Sequence, residues 1–469
     1  MSIALNRQFV HQIRAMLVRN ATTGASYALA TAPKPQPEHY DIIIGGGGLV
    51  GTTFAAALSK TPVLADKRVL LLEGGPPFKG FNPSAPYGNR VSAINQNAVD
   101  LFKTIGAWDR MEAARVKPVK RMQVWDASSD ALIHFHNEHF ADNIACIIEN
   151  DLMLEAVHSL LQDANAKKNV EIRNGVRIEK VSLPSENSSN YSEVHLKTGQ
   201  VYSCDLLIGA DGFNSVVRQQ MGVNVFSVDY QRMGLVATVD VSDADDNAVA
   251  WQRFIPTGPI ALLPLNDKTS SLVWSTTQEH ARQLCEMGNK EFADAINEAF
   301  VKQYPKSELI VKSLNALNSL MGQQQNQQTL HLPPRVTGVQ DNTRAKFPLG
   351  FLHAASYVST GAALIGDAAH RIHPMAGQGV NLGYSDIRYL VEALSDAVYA
   401  GAKIGDKHYL IQYERKSLIK NIPILVGVHG LQSLYSTDFS PVVFLRSIGL
   451  QLTHNIPSIK NFFMKRAIG

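Results

Sequence analysis

The stretch from His39 to Glu73 restricts what this chain can fold into more than any other. A β-branched run, Ile42–Ile44, enters Gly46-x-Gly48-x-x-Gly51, a small-residue helix follows (Thr52–Leu58), and a second apolar strand, Val69–Leu72, ends on Glu73. In a βαβ unit of this kind the first glycine permits the tight turn. The second lets backbone approach a pyrophosphate, and the third lets helix and sheet pack closely. An acid 22 positions beyond Gly51 stands where it can take ribose hydroxyls. The pattern predicts a Rossmann-type domain for an ADP-containing dinucleotide, without deciding between FAD and NAD.

Two later segments repeat the theme. Leu206–Ile208 is an apolar strand ending in Gly-Ala-Asp-Gly, with Asp211 at its tip and Ser215 placed to cap the next helix. Ala362–Ile365 stops at Gly366-Asp367; a turn with Pro374, the glycines Gly377 and Gly379, and a helix from about Asn381 follow. A strand-end carboxylate accepts from sugar-like hydroxyls, and an uncapped helix N-terminus favours negative charge. Glu73, Asp211 and Asp367, each beside glycine, are expected on one edge of a single parallel sheet.

Charge and cysteine usage exclude other classes. The net charge is +3 over 469 residues. Residues 1–37 hold Arg7, Arg14, Arg19 and Lys34 and no acid, so of 44 basic residues 40 remain against 41 acidic ones. A body this balanced offers no nucleic-acid surface. The leader carries Leu5, Phe9, Ile13 and Leu17 on one helical face, the composition of a mitochondrial transit peptide. Cys146, Cys204 and Cys285 have no paired spacing, which argues against a disulfide framework or a metal site. No run of 18 apolar residues exists to span a bilayer.

The remaining chain reads as two textures. Asn89–Asn95 (NRVSAIN) is expected at the start of a helix, with Arg90 in reach of a phosphate or ribityl chain. Arg121–Phe135 reads as a hairpin, Ile147–Leu161 as a helix packed on the first sheet, and Val170–Val181 as strand. Alternating segments from Arg232 to Trp274 predict a second, mainly antiparallel sheet, and Glu279–Phe300 an amphipathic helix. GQQQNQQ (322–328) is low-complexity loop, and the chain beyond Asp386 is largely helical. Near the end Phe444, Leu445, Ile448 and Leu452 share a face beside Arg446, Lys460, Lys465 and Arg466, a pattern that fits a packed core or a membrane surface.

Together GGGGLVG, GADGFNSVVR and GDAAHRIHPMAGQGVNLGYSD resemble the flavoprotein aromatic hydroxylases of the para-hydroxybenzoate hydroxylase fold. His373–Asp386, WDASSDAL and WQRFIPTGPIALLPL, with the leader, are similar to the mitochondrial ubiquinone-biosynthesis branch of that family. The resemblance covers residues 40 to about 460 and implies FAD. It implies an α/β fold: a Rossmann-type FAD-binding domain in segments 38–118, 146–225 and 350–400, after a transit peptide over 1–37. An inserted, mainly antiparallel substrate domain would span 226–349 with its hairpin at 119–145, and C-terminal helices 401–469 would offer membrane or partner contact. Carried over, Gly46, Gly48, Gly51 and Glu73 would bind the ADP half, Arg90 the ribityl-phosphate region, and Asp211 and Asp367 the ribityl network. Gly377, Gly379, Val380 and Asn381 would run along the isoalloxazine.

The implied activity is hydroxylation, at C5, of the ring of a polyprenylated 4-hydroxybenzoate by O2 through a flavin C4a-hydroperoxide. Trp251, Phe254 and Pro259–Leu265 would roof the cavity. Implied partners are ferredoxin and ferredoxin reductase as electron donors and other ubiquinone-biosynthesis proteins in a complex. The implied place is the matrix side of the inner mitochondrial membrane, held peripherally. No tyrosine pair for deprotonating a phenol is evident, so no catalytic residue is named, and His370 and His373 are read as structural. Halogenation is set aside because Phe254 stands where that motif has a second tryptophan. A non-catalytic flavoprotein scaffold of the same assembly is the alternative from another class, and an NAD-dependent dehydrogenase a third.

Overall fold

A computed structural model describes residues 37–435 except 129–130, 137–142, 186–189, 243–246, 305–329 and 375–376, together with Gly449. The leader, GQQQNQQ and the C-terminal apolar-basic segment lie outside the described residues. Strand β1 (Glu38–Gly45), helix α1 (Leu49–Lys60) and strand β2 (Val69–Glu73) form the first crossover, and β1 and β2 pair in parallel. β3 (Val91–Ile94) comes next, so NRVSAIN is strand where a helix start was expected. Its partner is β7 (Ala145–Glu149), which takes residues 147–149 from the predicted helix. Helix α2 (Gln96–Ile105) starts only at Asn95, whose side chain accepts from Ala98 N–H at 3.1 Å. α3 (Trp108–Ala114), β4 (Lys117–Val119) and the antiparallel hairpin β5 (Arg121–Asp126) and β6 (Leu132–His136) lie between β3 and β7.

After β7, α4 (Asn150–Leu161) packs on α1, and α5 (Ala164–Asn169) leads to β8 (Val170–Asn174) and β9 (Ile178–Ser182). The predicted strand 170–181 is two strands, because Gly175 turns the chain at φ +73°. β10 (Ser192–Leu196), β11 (Val201–Gly209) and α6 (Val216–Gln220) follow, Ser215 capping α6 by accepting from Arg218 N–H at 2.9 Å. Next come β12 (Val225–Val241), β13 (Val249–Ile255), β14 (Gly258–Pro264) and β15 (Thr269–Thr277). The helix expected over 279–300 is α7 (Gln278–Glu286) and α8 (Asn289–Val301), broken at Gly288. Arg344 Nη1 donates to the carbonyls of Leu284, Cys285 and Met287 and so closes the end of α7.

The chain returns through β16 (Val336–Val339), β17 (Ala345–Ala354), β18 (Val358–Ser359), β19 (Ala362–Leu364), a 3-10 turn over Gly366–Ala368, and β20 (His370–Arg371). It ends in α9 (Gly379–Tyr399) and α10 (Lys407–Tyr435). Among the described residues the strands form three sheets. The first runs β18-β19-β11-β1-β2-β8 with β10 and β9 on its flank; the second runs β20-β17-β12-β15-β14-β13-β5-β6 with β16 on β12; the third is β3-β7-β4. β2 with β8 and β11 with β19 are parallel, and Ala210 N–H donates to Gly45 O at 2.8 Å, so the strand ends at Gly45 and Gly209 lie side by side. Ile42–Ile44, Leu70–Leu71 and Leu206–Ile208 are fully buried, as strands covered on both faces must be.

The second sheet is antiparallel except where β13 runs parallel to β5. One face is sealed by α7 and α8: Trp125, Leu235, Trp251, Ile260, Leu262, Leu272 and Trp274 share a core with Phe292, Ile296 and Phe300. Period-two alternation therefore sends the other residues to the opposite face. There Gln252, Ala261, Val273 and Val236 stand in one row across four strands.

Candidate active site

The glycine loop between β1 and α1 is built by close contact. Gly46 sits at φ +107°, and a Cβ there would lie 2.3 Å from Ala210 O and 2.8 Å from Asp211 Cα. The turn after β1 is thus pressed against the turn after β11, so Gly46 and Asp211 are neighbours. The strand-end acids behave differently from one another. Glu73 bridges two backbone groups, accepting from Gly47 N–H and Gly75 N–H at 2.6 Å each. Asp211 Oδ2 accepts from Val216 and Val217 N–H at 2.7 and 3.2 Å, holding the start of α6. Its Oδ1 is buried with no partner among the described residues, an acceptor left for a ligand donor.

Asp367 lies in the 3-10 turn after β19, and that turn meets α1: Cβ positions built on Gly366 and Gly383 fall 3.2 and 2.7 Å from Val50. The loop near Gly46, the turn at Asp211 and the turn at Asp367 therefore converge on one trough at the strand ends. Protein surrounds Asp367 on most sides, yet its side chain remains open to solvent, as a carboxylate on the floor of a trough would be. Burial raises its pKa, while the neighbouring His370 and Arg371 lower it.

Two helices begin at this trough. α1 starts at Gly48 and α9 at Gln378, and neither has a side-chain cap or an acid in its first turn among the described residues. The bare N–H groups of both first turns form an anion-binding pair. No described atom lies within 4 Å of a Cβ built on Gly48 or Gly379, so both open into space rather than protein. Gly377, at φ +59°, packs against Ala93 of β3. Asn381 has a role sequence reasoning did not give it: its Oδ1 accepts from Asn95 N–H and its Nδ2 donates to Ala93 O and Gly377 O. It ties the α9 start to the β3–α2 junction, leaving backbone groups of 379–381 for the trough. Arg90 precedes β3 and is exposed, its carbonyl accepting from Asn150 N–H. These features suit FAD: two uncapped helix ends for anionic groups, and free carboxylate oxygens on Asp211 and Asp367 for hydroxyls.

Beyond Asp367 the chain joins the second sheet, β20 pairing with β17. His373 is buried, with Nε2 3.3 Å from Ser275 Oγ on β15. Burial and Arg232 push its pKa down to about 3, so it is neutral and no proton acceptor near pH 7. His370 Nε2 lies 2.6 Å from Asp386 Oδ2, both fully buried. Burial works against charge on His370, but Asp386 and Asp367 raise its pKa overall. The roof differs from expectation. Trp251 faces α7 and α8, because it alternates with Gln252 and Phe254, whereas Ala261 of the expected Pro259–Leu265 strand stands on the opposite face with the half-buried Val236 and Val273. Phe254 does face inward but stacks on Tyr435 of α10, centroids 3.8 Å apart.

Two buried charged residues near the trough went unassigned in the sequence reading. Asp386 was only the last letter of a signature, although an acid between buried Leu382 and Leu390 on one helical face was a visible signal. Arg218 donates from Nη1 to Ala368 O at 2.9 Å and from Nη2 to Phe213 O at 2.6 Å.

The FAD binding domain family matches this chain over residues 39–330 and 325–419. The chain is 63% identical over 433 residues to "Ubiquinone biosynthesis monooxygenase COQ6, mitochondrial" of Drosophila melanogaster, covering 92% of this chain and 90% of that protein. It is 42% identical over 430 residues to the Homo sapiens protein of the same name, covering 91% and 92%. In structure it resembles pqsL, a probable FAD-dependent monooxygenase from Pseudomonas aeruginosa, with TM-score 0.65, 20% identity, and coverage of 88% of this chain and 99% of that one. That last likeness speaks for the fold alone.

Proposed function

Because the chain belongs to the FAD-binding domain family and to its mitochondrial ubiquinone-biosynthesis monooxygenases, we propose that it hydroxylates the ring of a polyprenylated 4-hydroxybenzoate at C5. It is an FAD-dependent monooxygenase of ubiquinone synthesis. The observation that carries the finer reading is the convergence of Gly46, Asp211 and Asp367 on one trough, from which the chain runs through β20 into the second sheet. Bound flavin supplies the activation of O2; the chain's residues do the rest. Gly46, Gly48 and Gly51 would admit the pyrophosphate to the α1 N-terminus, while Asp211 and Asp367 would accept from the ribityl side. The first turn of α9, from Gly379 through Asn381, would offer N–H groups to a bound flavin, which would favour negative charge on it. Glu73 would shape the loop from which ribose hydroxyls are bound, and the exposed Arg90 would reach towards the ribityl-phosphate region. Val236, Val273 and Ala261 would shield the reacting face from water.

Electrons come from outside the chain, from ferredoxin and ferredoxin reductase, consistent with its one Gly-x-Gly-x-x-Gly strand-helix unit. Other ubiquinone-biosynthesis proteins are its partners in a complex. The segmentation into FAD-binding parts 38–118, 146–225 and 350–400 around substrate parts 119–145 and 226–349 goes with this reading. Mass spectrometry of polyprenyl-phenols in cells lacking the protein tests it: precursor without the C5 hydroxyl should accumulate. An unchanged ubiquinone pool would end the assignment.

The curated relatives are named mitochondrial, and no helix among the described residues is long and apolar enough to cross a membrane. The chain sits peripherally on the matrix side of the inner membrane, with α10 towards the lipid. Ile419 and Val426 are 75% and 65% exposed, exposed Ile422 lies near them on the helix, and no acid occurs from Arg415 to Tyr435. Burying one such side chain is worth roughly 1.5–3 kcal/mol. Ile419→Asp with Val426→Asp should lower binding to anionic vesicles by at least about tenfold, measured by flotation. Unchanged flotation would remove α10 as the contact.

A further inference from the structure

The turn that carries Asp367 is held on both sides by buried charged groups from distant parts of the chain. On its leading side Gly366 N–H donates to Asp386 Oδ2 at 3.0 Å; on its trailing side Ala368 O accepts from Arg218 Nη1 at 2.9 Å. Asp386 is completely buried on α9, and every oxygen it has is engaged: Oδ2 with Gly366 N–H and His370 Nε2, Oδ1 with Ser417 Oγ at 2.9 Å and Asn421 Nδ2 at 3.2 Å on α10. One carboxylate therefore joins the turn, the strand after it and two helices. Gly366 sits at φ +60°, a conformation open to glycine and costly for other residues.

We propose that Asp386 is a positioning residue for the cofactor, which sets both the place and the charge of Asp367 through Gly366 and His370. The proposal rests on reading Asp367 as a ribityl ligand. Asp386 favours the cationic form of His370 against its burial, and positive charge there, close to Asp367, favours the ionised form of the acid that hydroxyls bind best. The groups facing His370 are Asp386 on α9, Asp367 and Arg371 beside it in the chain, His353 on the paired strand β17 and Tyr357 with its ring 5.7 Å away. His353 has its own pKa lowered by burial and by His370, so it adds no competing positive charge. Tyr357 is held neutral by burial.

The sign of the effect follows. In the native protein FAD affinity is lost as pH falls through the pKa of Asp367. In Asp386→Asn, burial leaves His370 neutral, Asp367 loses its cationic neighbour, and its pKa rises. The acid inflection in FAD affinity should therefore move to higher pH, with affinity at pH 7 down about 10- to 100-fold. His370→Gln keeps a donor near Asp386 without the charge, and should move the inflection the same way with a smaller loss at alkaline pH. The experiment titrates full-length apoprotein with FAD by fluorescence quenching from pH 5 to 9 for both variants, the native chain and Asp367→Ala. A purely structural role would weaken binding equally at every pH, and inflections that stay at the native position in both variants would overturn the proposal. If Asp367→Ala itself binds FAD normally, the ribityl reading has failed rather than the role of Asp386.

Discussion

Asp367→Ala will purify without yellow colour, its FAD dissociation constant raised about 10- to 100-fold. The range follows from removing charge-assisted hydrogen bonds at a site where burial already strains the ionised acid. The same substitution should leave the apoprotein's melting temperature nearly unchanged. The reason is that no described group donates a hydrogen bond to the Asp367 carboxylate, whose side chain stands open to solvent in the apoprotein. Loss of cofactor without loss of fold also separates the enzyme from a scaffold that merely contains flavin. Cells carrying only this variant should make no ubiquinone above the level of a deletion strain. Normal ubiquinone from a stable, flavin-free variant would favour the scaffold, and normal FAD binding would remove Asp367 from the site.

What the sequence disclosed and what it hid divide along physical lines. The strand–glycine–helix unit at Ile42–Leu58 is largely local: Gly51 is dictated by the carbonyl of Gly46 five residues before it, whereas Gly46 itself is pressed by Ala210 and Asp211 from the turn after β11. The acids at strand ends were legible for the same reason, since a parallel sheet puts all its C-terminal ends on one edge. Strand β3 was not, because Val91–Ile94 is extended only through pairing with Glu149–Cys146, far along the chain. The face of Trp251 was hidden in another way. Alternation announces that β13 has two faces, but which one α7 and α8 cover is settled by tertiary packing. Asp386 needed partners on two other elements, His370 on β20 and Ser417 and Asn421 on α10, before its burial made sense. Glu73 shows the converse: its position was foreseen, while its two backbone hydrogen bonds, to Gly47 and Gly75, came only with the loop's geometry.

Alanine at Gly51 and alanine at Gly48, three residues apart, should fail in opposite ways. Gly51 lies inside α1, where alanine is favoured over glycine by about 0.8–1.0 kcal/mol. Its Cβ, however, would stand 1.9 Å from Gly46 O and 3.2 Å from Ala210 Cβ. The Gly46 loop cannot simply step aside, since Gly46 N–H donates to Leu72 O at 2.8 Å and Thr52 Oγ1 donates to Gly47 O at 2.8 Å. Overpacking of this kind costs roughly 1–3 kcal/mol, so the clash outweighs the propensity and Gly51→Ala should melt lower even without FAD. At Gly48 the backbone is ordinary, φ −72°, and no described atom lies within 4 Å of the new methyl. Apoprotein stability should therefore change by less than about 1 kcal/mol, while FAD affinity falls because the methyl enters the space through which a pyrophosphate reaches the α1 N–H groups. Differential scanning fluorimetry of both apoproteins, paired with FAD titration, reads the two effects separately. Undiminished FAD binding by Gly48→Ala would mean that the pyrophosphate does not lie on this loop.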